Sequence, residues 1–223
     1  MSEVTPLHPA DDDEELRAAD GRVPGRRGRA TRQRLLACTS DMLTTTSYRD
    51  VKVIDIARVA GTSPATFYQY FADVEEAVLE LASSAAEEVP AILEPLSADW
   101  NGPDGLAAAR VLAAAFVRHW DANHAALLFR NVAAEQGDRR FRRVRARALR
   151  PVLDELARKI QASHPKTDSR GLHPVAAAAA LASILERLAA YHRELEVVGV
   201  SREDLIETCA RILHQIVAAE PRA

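Results

Sequence analysis

Apolar residues recur at intervals of three and four along most of the chain, the spacing of one buried helix face. The first such run, about Ala30 to Thr45, has Leu35, Leu36, Met42 and Leu43 as its buried stripe. A short second run carries Val53, Ile56, Ala57 and Ala60 on one face. It stops at Gly61, because glycine takes a left-handed conformation without strain. Ser63 is placed to cap a third helix, with Pro64 at its first position, where a missing N–H does no harm. In that helix, Pro64 to Phe71, the rings of Phe67 and Phe71 fall on one inward side. Asp73 and Glu76 have the spacing of a capping box, and the helix they open runs to about Glu88 with Val78, Leu79 and Leu81 inward. Pro90 and Pro95 break that pattern, and SADWNGPDG (residues 97–105) is a loop whose Trp100 is expected to anchor it to the body. Two further helices follow, Leu106 to about His119 and Asn123 to Glu135. A longer one runs from Asp138 to Ala162 with Phe141, Val144, Ala148, Val152 and Leu156 inward. After a polar loop, Ser163 to Leu172, an Ala-rich helix runs from Pro174 to about Val198 and ends at Gly199. Ser201 and Asp204 cap the last helix, which reaches about Ala219. The expected fold is all-α, with about nine helices.

The stretch VIDIARVAGTSPATFYQYF (residues 53–71) is two short helices around a tight turn. A helix as short as the second is not stable alone, so its role is to present side chains held by its neighbours. That is the build of a helix-turn-helix, whose second helix enters the DNA major groove. The core AG-x-S-x-x-TFY-x-YF, with an apolar helix before it and FADVEEAVLEL after it, closely resembles the tetracycline-repressor (TetR) family of bacterial transcription regulators. The close match spans roughly Arg29 to Leu81; the rest agrees in length and helicity. Three departures stand out. Ser47 replaces the glycine that usually precedes the aromatic at Tyr48. Lys52 stands where the family often has Thr or Ser. Val74 stands where the family usually has a lysine that meets the DNA backbone.

Charge distribution agrees with this reading better than total charge does. The net charge of the 223 residues is −3. Yet residues 1–20 carry seven acids against Arg17, and residues 21–58 carry nine bases against three acids. Fields are screened within about 10 Å, so the local excess matters for DNA approach. Residues 1–24 are expected to be a disordered acidic tail. Residues 25–72 are expected to form the DNA-binding domain, preceded by a flexible basic arm, PGRRGR. That arm is either a solubilising segment or a DNA arm. Residues 73–223 are expected to form the effector-binding and dimerisation body.

The DNA-binding candidates are Arg26, Arg27, Arg29, Lys52, Ser63, Thr66, Tyr68, Gln69 and Tyr70. With Phe67 and Phe71 inward, Gln69 points away and can reach a base edge, with adenine its favoured partner. Lys52, the hydroxyls and the phenols are suited to phosphates. The run Arg139, Arg140, Arg142, Arg143, Arg145, Arg147 and Arg150 reads instead as the solvated side of an amphipathic helix.

The resemblance implies a small-molecule pocket in the body and pairing of the last two helices with their copies in a two-fold homodimer. Bulky or polar residues within alanine-rich helices are the effector candidates: Phe116, His119, Trp120, Phe129, Asn131, Tyr191 and His192. Their character suits a hydrophobic or amphipathic effector. Interface candidates are Leu181, Leu185, Leu188, Leu205, Cys209, Ile212 and Ile216, which could equally close the monomer's own core. Cys38 and Cys209, without a CxxC, read as core thiols of a reducing cytosol. No run of some 18 apolar residues or apolar leader stands out, so a soluble, cytoplasmic protein is expected. G-x-S-x-G, H-E-x-x-H and a Walker loop are missing, and His119 and His124 are five apart, off register for a metal on one helix. Neither an enzyme nor a bound metal or cofactor is expected. The leading expectation is a repressor released from its DNA operator by an effector. The alternative is a ligand-independent, architectural DNA-binding protein with the same head.

Overall fold

The structure, a computed structural model, describes residues 25–163 and 172–218. The expected acidic tail lies outside the described residues. Among those described there are eight α-helices and no strand: α1 Arg26–Thr45, α2 Val53–Val59, α3 Pro64–Tyr68, α4 Val74–Ile92, α5 Gly105–Glu135, α6 Arg139–Ser163, α7 Pro174–Glu196 and α8 Arg202–Val217. The chain divides into two compact units, one ending at Ala77 and one beginning at Val78.

In the first unit the core is Leu35, Leu36, Val51, Ile56, Ala57, Ala60, Phe67 and Phe71. Gly61 adopts φ +66°. Its N–H donates to Arg58 and that of Thr62 to Ala57 at 2.9 Å, so the last carbonyls of α2 are satisfied as the chain reverses. Ser63 then caps α3, accepting from the Thr66 N–H at 3.2 Å. The basic arm is a correction. Arg26, Arg27 and Arg29 lie within α1, which begins at Arg26, four residues before the start near Ala30 expected from the sequence.

In the second unit α5, α6, α7 and α8 pack on one core with the end of α4. The two helices expected over residues 106–135 are one helix kinked at Asn123 (φ −122°, ψ 16°). The Asn123 amide donates to the His119 carbonyl at 3.1 Å and to the Glu88 carboxylate at 3.3 Å, so a side chain intrudes on the backbone ladder. That single kink accounts for nine expected helices becoming eight. α7 bends similarly at Tyr191 (φ −124°, ψ 17°). Pro90 does not end α4, which continues to Ile92; its missing N–H removes one backbone bond close to the helix end.

The loop before α5 is pinned as expected. Trp100 is fully buried, and its Nε1–H donates to the Pro95 carbonyl at 2.9 Å. Gly105 lies so close beneath it that an added Cβ would come within 2.1 Å of the Trp100 carbonyl oxygen, a backbone atom that cannot swing away. α7 is long and apolar enough to span a membrane by length and composition. Much of that apolarity is alanine, and Ala178, Leu181, Ala182, Leu185 and Ala189 are buried in the core.

Candidate nucleic-acid interface and ligand cavity

α3 is only five residues long, and Phe67 and Phe71 seat it, both fully buried with ring centroids 5.4 Å apart. This fixes what faces out. Tyr68 is 53% exposed, Gln69 is exposed and Tyr70 is half-buried. The Ser63 and Thr66 hydroxyls lie 3.0 Å apart and serve each other as well as the cap. Lys52 is exposed at the N-cap of α2 and makes no side-chain cap bond. α1 begins with no side-chain cap and no acid in its first turn. It carries Arg26, Arg27 and Arg29 there, all exposed. Cations at a helix N-terminus oppose the dipole, and the uncapped N–H groups point the same way. An anion such as a phosphate relieves both.

The body holds a cavity of about 290 Å³ among α5, α6 and α7. Trp120, Leu128, Asn131 and Val132 line it from α5, and Arg145 from α6. Ser183, Glu186, Arg187, Ala190 and Tyr191 line it from α7. Of the sequence candidates, Trp120, Asn131 and Tyr191 meet here. The other four do not. Phe116 is buried in the main core. Phe129 packs edge-on against Phe141, 5.2 Å between centroids. His119 is buried with Nδ1 3.1 Å from Glu88. Burial lowers its pKa more than Glu88 raises it, so at neutral pH the neutral ring donates to the carboxylate. Stability from that neutral ring is complete above the ordinary histidine pKa and declines as pH falls below it. His192 is buried between the Ala189 carbonyl, 3.0 Å from Nδ1, and Asp121, 3.3 Å from Nε2.

Asn131 is also less available than its composition implied. Its carbonyl accepts two bonds from Arg130, at 3.0 and 2.9 Å, and its amide donates to Glu186 at 3.1 Å. Arg130 and Glu186 are the residues that sequence reasoning missed. Arg130 is 3% exposed and bonds Glu186 Oε1 at 3.0 Å, while Arg145 bonds Oε2 at 2.9 Å. Burial, partly offset by Glu186, pushes the Arg130 pKa down to about 10. The signal was present: an arginine inside the apolar run ALLFRNVAA needs a buried carboxylate. The remaining arginines of α6 are exposed opposite Phe141, Val144, Ala148, Val152 and Leu156, so the solvated reading holds except at Arg145.

The interface candidates need a similar revision. Leu181, Leu185, Leu205 and Cys209 are 2–6% exposed within one protomer, and Leu188, Ile212 and Ile216 pack partly against the same core. The first four have little surface left for a partner, and the other three keep some. Burial raises the Cys209 thiol pKa to about 11, consistent with an inert core residue.

An all-helical chain with an outward-facing recognition helix on a helix-turn-helix head, followed by a separate helical unit with a cavity, has the build of a DNA-binding transcription regulator. Residues 95–222 match the family model of the tetracycline repressor-like C-terminal domain. The chain belongs to the TetR family. No curated protein matches it. Several solved structures share its fold. A TetR-family regulator from Marinobacter aquaeolei is 21% identical, with 87% of this chain and 99% of that one covered and a TM-score of 0.62. The fatty acid degradation regulator FadR from Bacillus halodurans is 16% identical, with coverage of 90% and 99% and a TM-score of 0.59. The TetR-family regulator PfmR from Thermus thermophilus is 22% identical, with coverage of 85% and 100% and a TM-score of 0.56.

Proposed function

We propose that the protein is a homodimeric repressor that binds an operator through α3 and is released by a small amphipathic effector taken into the body cavity. The observation that carries the DNA reading is the division of α3 and the three residues after it into two seated phenylalanines and an exposed Tyr68–Gln69 pair. Gln69 reads a base edge, Lys52 and the first-turn arginines of α1 meet phosphates, and Tyr68 positions the helix. Gln69→Ala should relax preference at one or two operator positions, each bidentate contact being worth ~1–3 kcal/mol. Lys52→Ala should weaken all sequences alike and reduce the salt slope by about one phosphate. Selection from a random DNA pool, followed by titration of operator and scrambled DNA at two salt concentrations, checks both. Equal losses on operator and scrambled DNA for Gln69→Ala would reverse the assignment.

The cavity supports the effector reading over an architectural role, which needs none. Dimerisation is assigned to the outer face of α7 in its first half, where Val175, Ala176, Ala179 and Ala180 are exposed. Small residues let helices approach closely, and a short recognition helix needs a second copy to cover enough bases. Ala180→Glu should therefore shift the protein to monomer in sedimentation with its melting temperature nearly unchanged at low protein concentration. A dimer that persists in this variant places the interface elsewhere.

A further inference from the structure

We propose that the cavity among α5, α6 and α7 binds a small organic carboxylate. Arg187 holds the carboxylate, and Trp120 and Tyr191 flank an apolar body of ring size. This deepens the effector reading and rests on it for any consequence at the operator. The guanidinium of Arg187 lies 3.9 Å over the Tyr191 ring, one turn further along α7. Stacking occupies its face and leaves the N–H donors, which lie in its plane, for another partner. Among the described residues Arg187 forms no ion pair. A planar fork of donors beside an apolar wall is matched by a carboxylate on an apolar body.

The competing ligand is a cation, since aromatic walls attract one and Glu186 lies among them. Charge decides against it. Both Glu186 oxygens are engaged, Oε1 by Arg130 and Asn131 and Oε2 by Arg145. One face of Tyr191 is already covered by a guanidinium. Arg145 and Arg187 line the cavity and Arg130 stands behind the wall, bonded to Glu186 at 3.0 Å, so an entering cation would have three arginines near it against the lining carboxylates of Glu186 and Glu135. An entering carboxylate would find that excess favourable. Leu128, Val132 and Ala190 complete the apolar side. The volume, about 290 Å³, is at the lower end of the ~300–1,000 Å³ of small-molecule sites, which favours a ring over a long chain.

Two matched series test this on the full-length protein by calorimetry. One is indole-3-acetate, indole-3-acetamide and tryptamine; the other is phenylacetate, phenylacetamide and phenethylamine. Within each series only the end group changes, from anion to neutral to cation. At least one anion is expected to bind tenfold or more tightly than its amide and amine. Arg187→Ala should remove that preference, and Arg187→Lys should keep part of it, because lysine retains charge without the fork or the stack. Arg187 is exposed, so both variants should melt with the parent. Equal or tighter binding of the amide or amine overturns the proposal. So does an anion preference that survives Arg187→Ala, or a lack of binding by both anions. Operator release is measured separately with the same six compounds. An anion that binds through Arg187 without changing operator affinity overturns the effector reading alone. Release by an amine alone keeps that reading and overturns this one.

Discussion

Glu186→Ala is expected to cost about 3–5 kcal/mol of stability, the usual penalty for stranding a buried charge. The melting temperature of the body should fall by on the order of 10 °C. The Arg130 side chain is 4% exposed and Glu186 13%, so water entering from the cavity replaces the lost carboxylate only in part. Arg145 is 39% exposed and can turn outward, so the penalty falls on Arg130. Asn131 would remain against Arg130, but a neutral oxygen offsets only part of a full charge. Removing both ends should be far milder: Arg130→Met with Glu186→Leu exchanges a desolvated pair for apolar packing, which is often neutral or stabilising. Chemical denaturation of the parent, the single variant and the double variant gives the comparison. A single variant within 1 kcal/mol of the parent would mean that Arg130 reaches solvent after all.

The head was nearly complete in the sequence because its signals are local. Gly61, Ser63 and Pro64 each specify one backbone event, and the four-residue spacing of Phe67 and Phe71 decides which side of α3 is buried. All were legible without knowing what the helices pack against. The start of α1 was the exception: Arg26, Arg27 and Arg29 extend a helix whose apolar stripe begins later. The body was legible as helices but not as a site. Periodicity shows that a residue is inward and not which cavity or core it meets. Phe116 and Trp120 share one helix face four residues apart, yet only Trp120 borders the cavity. The same limit explains the interface residues. Leu181 and Leu185 mark the apolar side of α7, and one protomer suffices to bury that side. Arg145 and Glu186 lie 41 residues apart, so their pairing could only be found once α6 and α7 were placed side by side.

Phe67→Ala should abolish operator binding by unfolding the head. Phe67 is fully buried beside Phe71, over whose ring the Arg32 guanidinium lies at 5.3 Å. Large-to-small changes of this kind cost ~3–5 kcal/mol. Whole domains are stable by only ~5–15 kcal/mol, and a small unit lies toward the lower end of that range. α3, at five residues, has no stability of its own to fall back on. The body forms its own compact unit and should melt as in the parent. Hydrogen exchange should therefore show lost protection in α1, α2 and α3, with α5 to α8 unchanged. Phe67→Leu, which nearly conserves apolar volume, should cost less than ~1.5 kcal/mol and keep most binding. Tyr68→Ala separates contact from folding: the side chain is 53% exposed, so operator affinity should fall while head protection stays intact. If Phe67→Ala bound operator as the parent does, α3 would not depend on that ring, and Gln69 would owe its placement to something else.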